Sequence, residues 1–132
     1  MAAEPEGRLG VSMGKYAIML NASTDDVGPM ANGLEYALDL DETGHEVAVY
    51  LDGVATQWPG QLAEMPDHPV NDYFDEATER GLVAGACGFC AHAFDGIDGV
   101  EAAGIPVLGD AERHGPHLGE VVGDGFDVLT IG

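Results

Sequence analysis

Basic side chains are scarce in this 132-residue chain, which has only 4 Lys and Arg against 24 Asp and Glu. Without a basic patch to displace counterions from phosphates, nucleic-acid binding is excluded as a function class. Apolar runs are short, and none approaches the roughly 18 residues of a membrane-spanning helix. The sequence also opens without a basic-then-apolar signal pattern, so we expect a cytoplasmic protein that does not associate with membranes.

The acidic excess gives the chain a formal net charge of −20. Its acidic residues are spread from Glu4 to Asp127 rather than gathered in one tail. This distribution is typical of a salt-adapted surface, and a strongly cationic partner is the alternative. We therefore predict a halophilic protein that loses structure or compactness when salt no longer screens its self-repulsion.

The length and the 45% hydrophobic content fit one compact domain with a real core. Residues 1–14 are polar and aperiodic and are predicted to form a flexible N-terminal tail, which leaves 15–132 as a single α/β domain. Short apolar runs predict strands at 15–20, 45–51, 82–86, 105–108 and 126–131. Helical spacing predicts helices at 27–38, 71–80, 91–103 (broken at Gly96 and Gly99) and 116–122. Their alternation predicts a three-layer α/β/α fold around a mostly parallel five-stranded sheet.

Both cysteines of the chain, Cys87 and Cys90, lie in a Cys-x-x-Cys spacing directly after the third predicted strand. In a reducing compartment such a pair is more often catalytic or metal-binding than a structural disulfide. A turn that leads from a strand into a helix lies at the carboxyl edge of a parallel sheet, where α/β folds place their chemistry. A thiol at a helix N-terminus also favours the reactive thiolate.

Three hypotheses for the cysteine pair remain open on the residues alone. In the first, one cysteine is a nucleophile that carries sulfur as a persulfide or cycles with the other through a disulfide. In the second, Cys87 and Cys90 form a zinc site with His114 and His117. In the third, the cysteines are small buried hydrophobic residues.

Other polar residues are predicted at the same edge of the sheet. Asn21 and Ser23 follow the first strand and Asp52 follows the second, so each is a candidate ligand contact or, for Asp52, a general base. His92 lies two residues from Cys90 and would add charge nearby. Trp58 lies in the proline-rich segment 57–70, which we predict to be a loop with at most one helical turn. We expect Trp58 to cover the edge of the core and the segment around it to be buried against a neighbouring subunit.

Several of these features, in the same order and at similar spacing, resemble the DsrE/DsrF-like family of sulfur-relay proteins. The resemblance rests on the opening strand, the Cys87-bearing turn and three short motifs: Gly44-His45-Glu46-Val47, Asp52-Gly53-Val54 and Gly123-Asp124-Gly125-Phe126-Asp127-Val128. The acidic composition is similar to that of a haloarchaeal member.

This resemblance implies an α/β/α domain that assembles into trimers or hexamers. It implies that Cys87 accepts sulfane sulfur as a persulfide, with Cys90 as a second thiol, and exchanges it with sulfur donor and acceptor proteins. No cofactor and no metal are part of this expectation, and whether the chain is an enzyme, a sulfurtransferase, stays open. The alternatives are a non-catalytic oligomeric binding or regulatory module with structural cysteines, and a Cys/His metal-binding module.

Overall fold

The computed structural model describes residues 13–132, and the first twelve residues, which make up most of the predicted N-terminal tail, lie outside that range. Its strands are β1 (Lys15–Leu20), β2 (Glu46–Leu51), β3 (Val83–Cys87), β4 (Val107–Leu108) and β5 (Asp127–Ile131). They form one sheet in the order β4-β3-β2-β1-β5, and every pairing is parallel. The predicted α/β class and five-stranded sheet are confirmed, and the sheet is parallel throughout rather than mostly so.

Helices connect these strands and form the outer layers. They are α1 (Val27–Glu42), a 3-10 helix (Gly53–Gln57), α2 (Trp58–Ala63), α3 (Asn71–Glu79), α4 (Gly88–Ala93), α5 (Ile97–Ala102) and α6 (Leu118–Gly123). One group has α1 packed against β2 and α3, and the other has α2 packed against α5 and α5 against α4. The three-layer α/β/α architecture is therefore confirmed.

Much of the core lies on the neighbouring strands β1 and β2. Ile18 and Leu20 of β1 and Val49 and Leu51 of β2 are fully buried, as expected for a parallel sheet covered on both faces. Gly33 brings α1 close to this sheet, because a Cβ atom at that position would collide with the Leu20 side chain. The strands end in loops at a single carboxyl edge, and that edge carries the candidate site.

The proline-rich segment is more helical than predicted, because α2 occupies six of its residues. Pro59 lies in the first turn of α2, where its missing N–H breaks no helical hydrogen bond. Trp58 is fully buried, and its Nε1–H donates to the carbonyl oxygen of Ala22 at 2.8 Å. Trp58 therefore belongs to the chain's own core, as expected of it, and lies deeper than the edge of the core.

The helix α3 begins without a side-chain cap. The cap is Val70, without a side-chain hydrogen bond. The Asn71 side-chain amide instead donates to the carbonyl oxygens of Leu62 and Met65, at 3.3 and 2.6 Å. Asn71 thus ties α3 to the end of α2.

The predicted helix 91–103 is two helices, and only one of its two expected breaks is real. Gly96 is the N-cap of α5, whereas Gly99 lies inside α5. A Cβ on Gly99 would lie 2.5 Å from the backbone of Gly60 in α2. Gly99 is therefore a contact point between two helices rather than a helix breaker.

The residue before β1 is held by hydrogen bonds. Gly14, the last residue of the predicted tail, donates its N–H to His45 Nδ1 at 2.8 Å and accepts from the Glu46 N–H at 3.0 Å. Gly14 is thus hydrogen-bonded to the start of β2.

Across residues 13–132, the helices are all too short or too polar to cross a membrane.

Candidate functional site

The candidate site lies at the carboxyl edge of three neighbouring strands. Asp52 directly follows β2, Cys87 is the last residue of β3, and His114 lies in the segment after β4. Cys90 lies in the first turn of α4. Because β2, β3 and β4 are adjacent and parallel, their ends bring these four side chains together.

The polar atoms of this cluster are close to one another. Cys87 Sγ lies 3.4 Å and Cys90 Sγ 3.8 Å from Nδ1 of His114. The Cys90 thiol donates to Oδ1 of Asp52 at 3.6 Å. Each of the four residues contributes one atom to a group in which all pairwise separations are within 4.8 Å.

The two thiols have different surroundings. Cys87 Sγ accepts the N–H of Cys90 at 3.5 Å. Burial raises the pKa of the Cys90 thiol to about 12, and the neighbouring Cys87 and the Asp52 carboxylate add to the rise.

Asp52 is held in place from two sides. Its N–H donates to the carbonyl oxygen of Leu20 at 2.9 Å. Its Oδ1 accepts the N–H of Gly53, also at 2.9 Å. Its Oδ1 thus accepts both the N–H of Gly53 and the thiol of Cys90.

The thiols lie just beneath the surface. Cys87 is fully buried and Cys90 is 7% exposed. His114 is exposed, and its ring packs against Phe89 with 4.3 Å between ring centroids. Because Cys87 is fully buried, a reactant reaches its sulfur only after neighbouring side chains move.

The other predicted site residues lie outside this cluster. Asn21 donates its N–H to the carbonyl oxygen of Ile131 at 2.8 Å, and Ser23 Oγ accepts from the N–H of Asp25 at 3.3 Å. His92 is exposed in the last turn of α4. His117, proposed as a partner of His114, is the N-cap of α6 and is not part of the group.

Sequence reasoning named His114 only as a zinc ligand and did not foresee that it contacts both thiols. The contact joins residues 27 and 24 positions apart, so no local spacing reveals it. One signal was available: His114 follows the fourth strand, and Cys87 ends the third, at the same edge of the sheet.

The chain matches no protein-family model, no curated protein and no solved structure. The site itself must therefore carry the functional argument.

Proposed function

We propose that the chain is a sulfur carrier of the DsrE/DsrF-like kind, in which Cys87 holds sulfane sulfur as a persulfide. The observation that carries the proposal is the 3.4 Å contact between Cys87 Sγ and His114 Nδ1. A thiol beside an imidazole is the arrangement that activates cysteine nucleophiles. The second thiol, Cys90, lies in the same group of atoms.

Loading needs one proton transfer and one displacement. The imidazole of His114 takes the proton of the Cys87 thiol, and the resulting thiolate attacks the outer sulfur of a donor persulfide. A new S–S bond forms on Cys87 while the donor's S–S bond breaks. The donor thiolate leaves and takes the proton from His114, so no external oxidant or reductant is consumed.

Unloading reverses this chemistry on another protein. A thiolate of the acceptor attacks the outer sulfur of the Cys87 persulfide, and Cys87 leaves as a thiolate that regains its proton. Attack by Cys90 on the inner sulfur is the competing path. That path releases hydrogen sulfide and leaves a Cys87–Cys90 disulfide, so it removes the protein from the relay.

Intact mass measurement tests the proposal. The reduced protein is incubated with polysulfide in molar salt and weighed, and we expect an adduct of one sulfur atom that dithiothreitol removes. Cys87→Ser should lack the adduct, whereas Cys90→Ser should keep it. An adduct that survives Cys87→Ser contradicts the role of Cys87. An adduct that forms only after denaturation indicates structural cysteines instead.

A homo-oligomer, the assembly that the resemblance implies, stays a prediction within this proposal. The buried Trp58 gives it no support. Light scattering in molar salt should give the mass of a trimer or a hexamer of the 13.7 kDa chain. A monomer mass would remove the oligomer and leave the chemistry of Cys87 untouched.

A further inference from the structure

Three separations within the cluster match those between the ligands of a tetrahedral metal ion, and the remaining ones are within 4.8 Å. Zinc bonds to sulfur, nitrogen and oxygen are about 2.0–2.3 Å long, so its tetrahedral ligand atoms lie about 3.3–3.8 Å apart. The contacts of His114 with Cys87 and Cys90 measure 3.4 and 3.8 Å, and the contact of Cys90 with Asp52 measures 3.6 Å. We propose that Asp52, Cys87, Cys90 and His114 bind a divalent transition-metal ion, with zinc as the preferred ion.

The donor set selects the class of ion. Two thiolates and one imidazole favour zinc and related transition metals, whereas magnesium and calcium prefer oxygen ligands. The thiolates and the carboxylate contribute three negative charges, which a divalent cation largely neutralises. Burial of Cys87 and Cys90 then no longer opposes loss of their protons, because the ion replaces the lost hydration.

Backbone N–H groups donate hydrogen bonds to two of the proposed ligand atoms, as the outer shell does in known metal sites. The N–H of Gly53 donates to Oδ1 of Asp52 at 2.9 Å, and the N–H of Cys90 donates to Sγ of Cys87 at 3.5 Å. Such contacts orient the ligating atoms before the metal arrives.

The fourth ligand differs from the one that the cysteine and histidine spacing suggested. His117 caps α6, and the cluster does not include it. Asp52 takes its place, because β2 lies next to β3 in the sheet. The predicted Cys2His2 set is thus replaced by Cys2His1Asp1, whose members come from the ends of three adjacent strands and from α4.

Four protein ligands leave no open position on a tetrahedral ion. The bound ion would therefore hold the site closed, and it would compete for the Cys87 sulfur that the proposed function uses. Metal and persulfide should exclude one another, so metal occupancy would set how many molecules can load sulfur. The competition between metal and persulfide rests on the proposed function, whereas metal binding itself does not.

Cobalt substitution tests the site. Reduced, metal-free protein is titrated with Co²⁺ alone, and we expect the visible bands of a tetrahedral ion together with a thiolate-to-cobalt charge-transfer band. Zn²⁺ should then displace the cobalt. Loss of an outer-shell contact costs roughly 10–100-fold in metal affinity, so Cys87→Ser, Cys90→Ser, Asp52→Asn and His114→Gln should each cost at least that much. His117→Ala is the matched control and should bind like the unaltered protein.

Cobalt spectra without the charge-transfer band, or unchanged spectra and affinity in Asp52→Asn or His114→Gln, would overturn the proposal. A measurement on the unaltered protein guards against misfolded variants: Zn²⁺ should slow alkylation of the two cysteines in native conditions, and equal rates with and without Zn²⁺ count against the site. Sulfur loading is measured by mass on the metal-free protein. Failure of metal binding is thus distinguishable from failure of sulfur loading.

Discussion

Two parts of the sheet's carboxyl edge use polar residues in opposite ways. The polar side chains of the loop after β1 bond locally: the Asn21 side-chain amide donates to the carbonyl oxygen of Met19, and Ser23 bonds to Asp25 and Asp26. The ends of β2, β3 and β4 instead direct side chains at one another, over separations of 24 to 38 residues. Polar residues at a strand end therefore indicate a site only when their partners are side chains from other strands.

Low salt should have the largest effect, because it should unfold the whole domain, including the loop after β1 and the ends of β2, β3 and β4. The charge of −20 is screened over about 3 Å at 1 M salt but over about 30 Å at 0.01 M. We expect loss of helical circular dichroism on dialysis from molar salt to dilute buffer, and recovery when salt returns. A spectrum that stays constant through the dialysis contradicts the halophilic prediction.

His114→Ala should have the next largest effect and should act only on the site. Loss of a general base typically slows a reaction by about 10²–10⁴-fold, and we expect sulfur loading of the metal-free protein to slow within that range. His117→Ala is the control, since His117 lies outside the cluster. Equal loading rates for the two variants would remove His114 from the mechanism.

Gly88→Ala should loosen the site without changing any of its polar groups. A Cβ on Gly88 would lie 3.0 Å from the backbone of Gly109 and Asp110, so the segment that carries His114 must shift. We expect faster alkylation of the native thiols and a stability loss of about 1–3 kcal/mol.

Gly119→Ala is the matched control for that change, because a Cβ there meets no atom within 4 Å. Alkylation should stay slow in this variant, and stability should rise by up to about 1 kcal/mol, since alanine favours a helix more than glycine does. Fast alkylation in both variants would show that the thiols are reached by a route that does not involve the His114 segment.

Ser23→Ala should have the smallest effect and should leave the site intact. It removes the hydroxyl contacts to Asp25 and Asp26, which are worth about 0.5–1.5 kcal/mol as ordinary hydrogen bonds. Urea unfolding should show that loss, while sulfur loading in molar salt stays at the rate of the unaltered protein. A loading defect would show that the loop after β1 belongs to the site.

The sequence was sufficient to predict elements whose signals are local. Strands such as β1 and β2 are short apolar runs in a parallel sheet, and α1 has apolar residues at helical spacing. The helix α2 was predicted as at most one turn because the prolines of its segment were read as loop residues, although Pro59 lies where a helix tolerates proline. Gly99 was read as a break because its partner, Gly60, is distant in sequence.

The site was predictable only in part for the same reason. Cys87 and Cys90 are close in sequence, and Asp52 follows a strand, so each could be identified locally. That Asp52 contacts Cys90, and that His114 rather than His117 faces the thiols, depends on the order of β2, β3 and β4 in the sheet. Neither composition nor periodicity determines that order.

The pairing of β5 with β1 has a consequence for how the protein is made. β1 pairs with β5 from Tyr16↔Asp127 to Leu20↔Ile131, so one side of β1 finds its partner only after more than a hundred further residues have left the ribosome. Until then its backbone N–H and C=O groups on that side are an open edge that can pair with another nascent chain. Synthesis of this protein should therefore depend on keeping β1 solvated or chaperoned until residues 127–131 emerge.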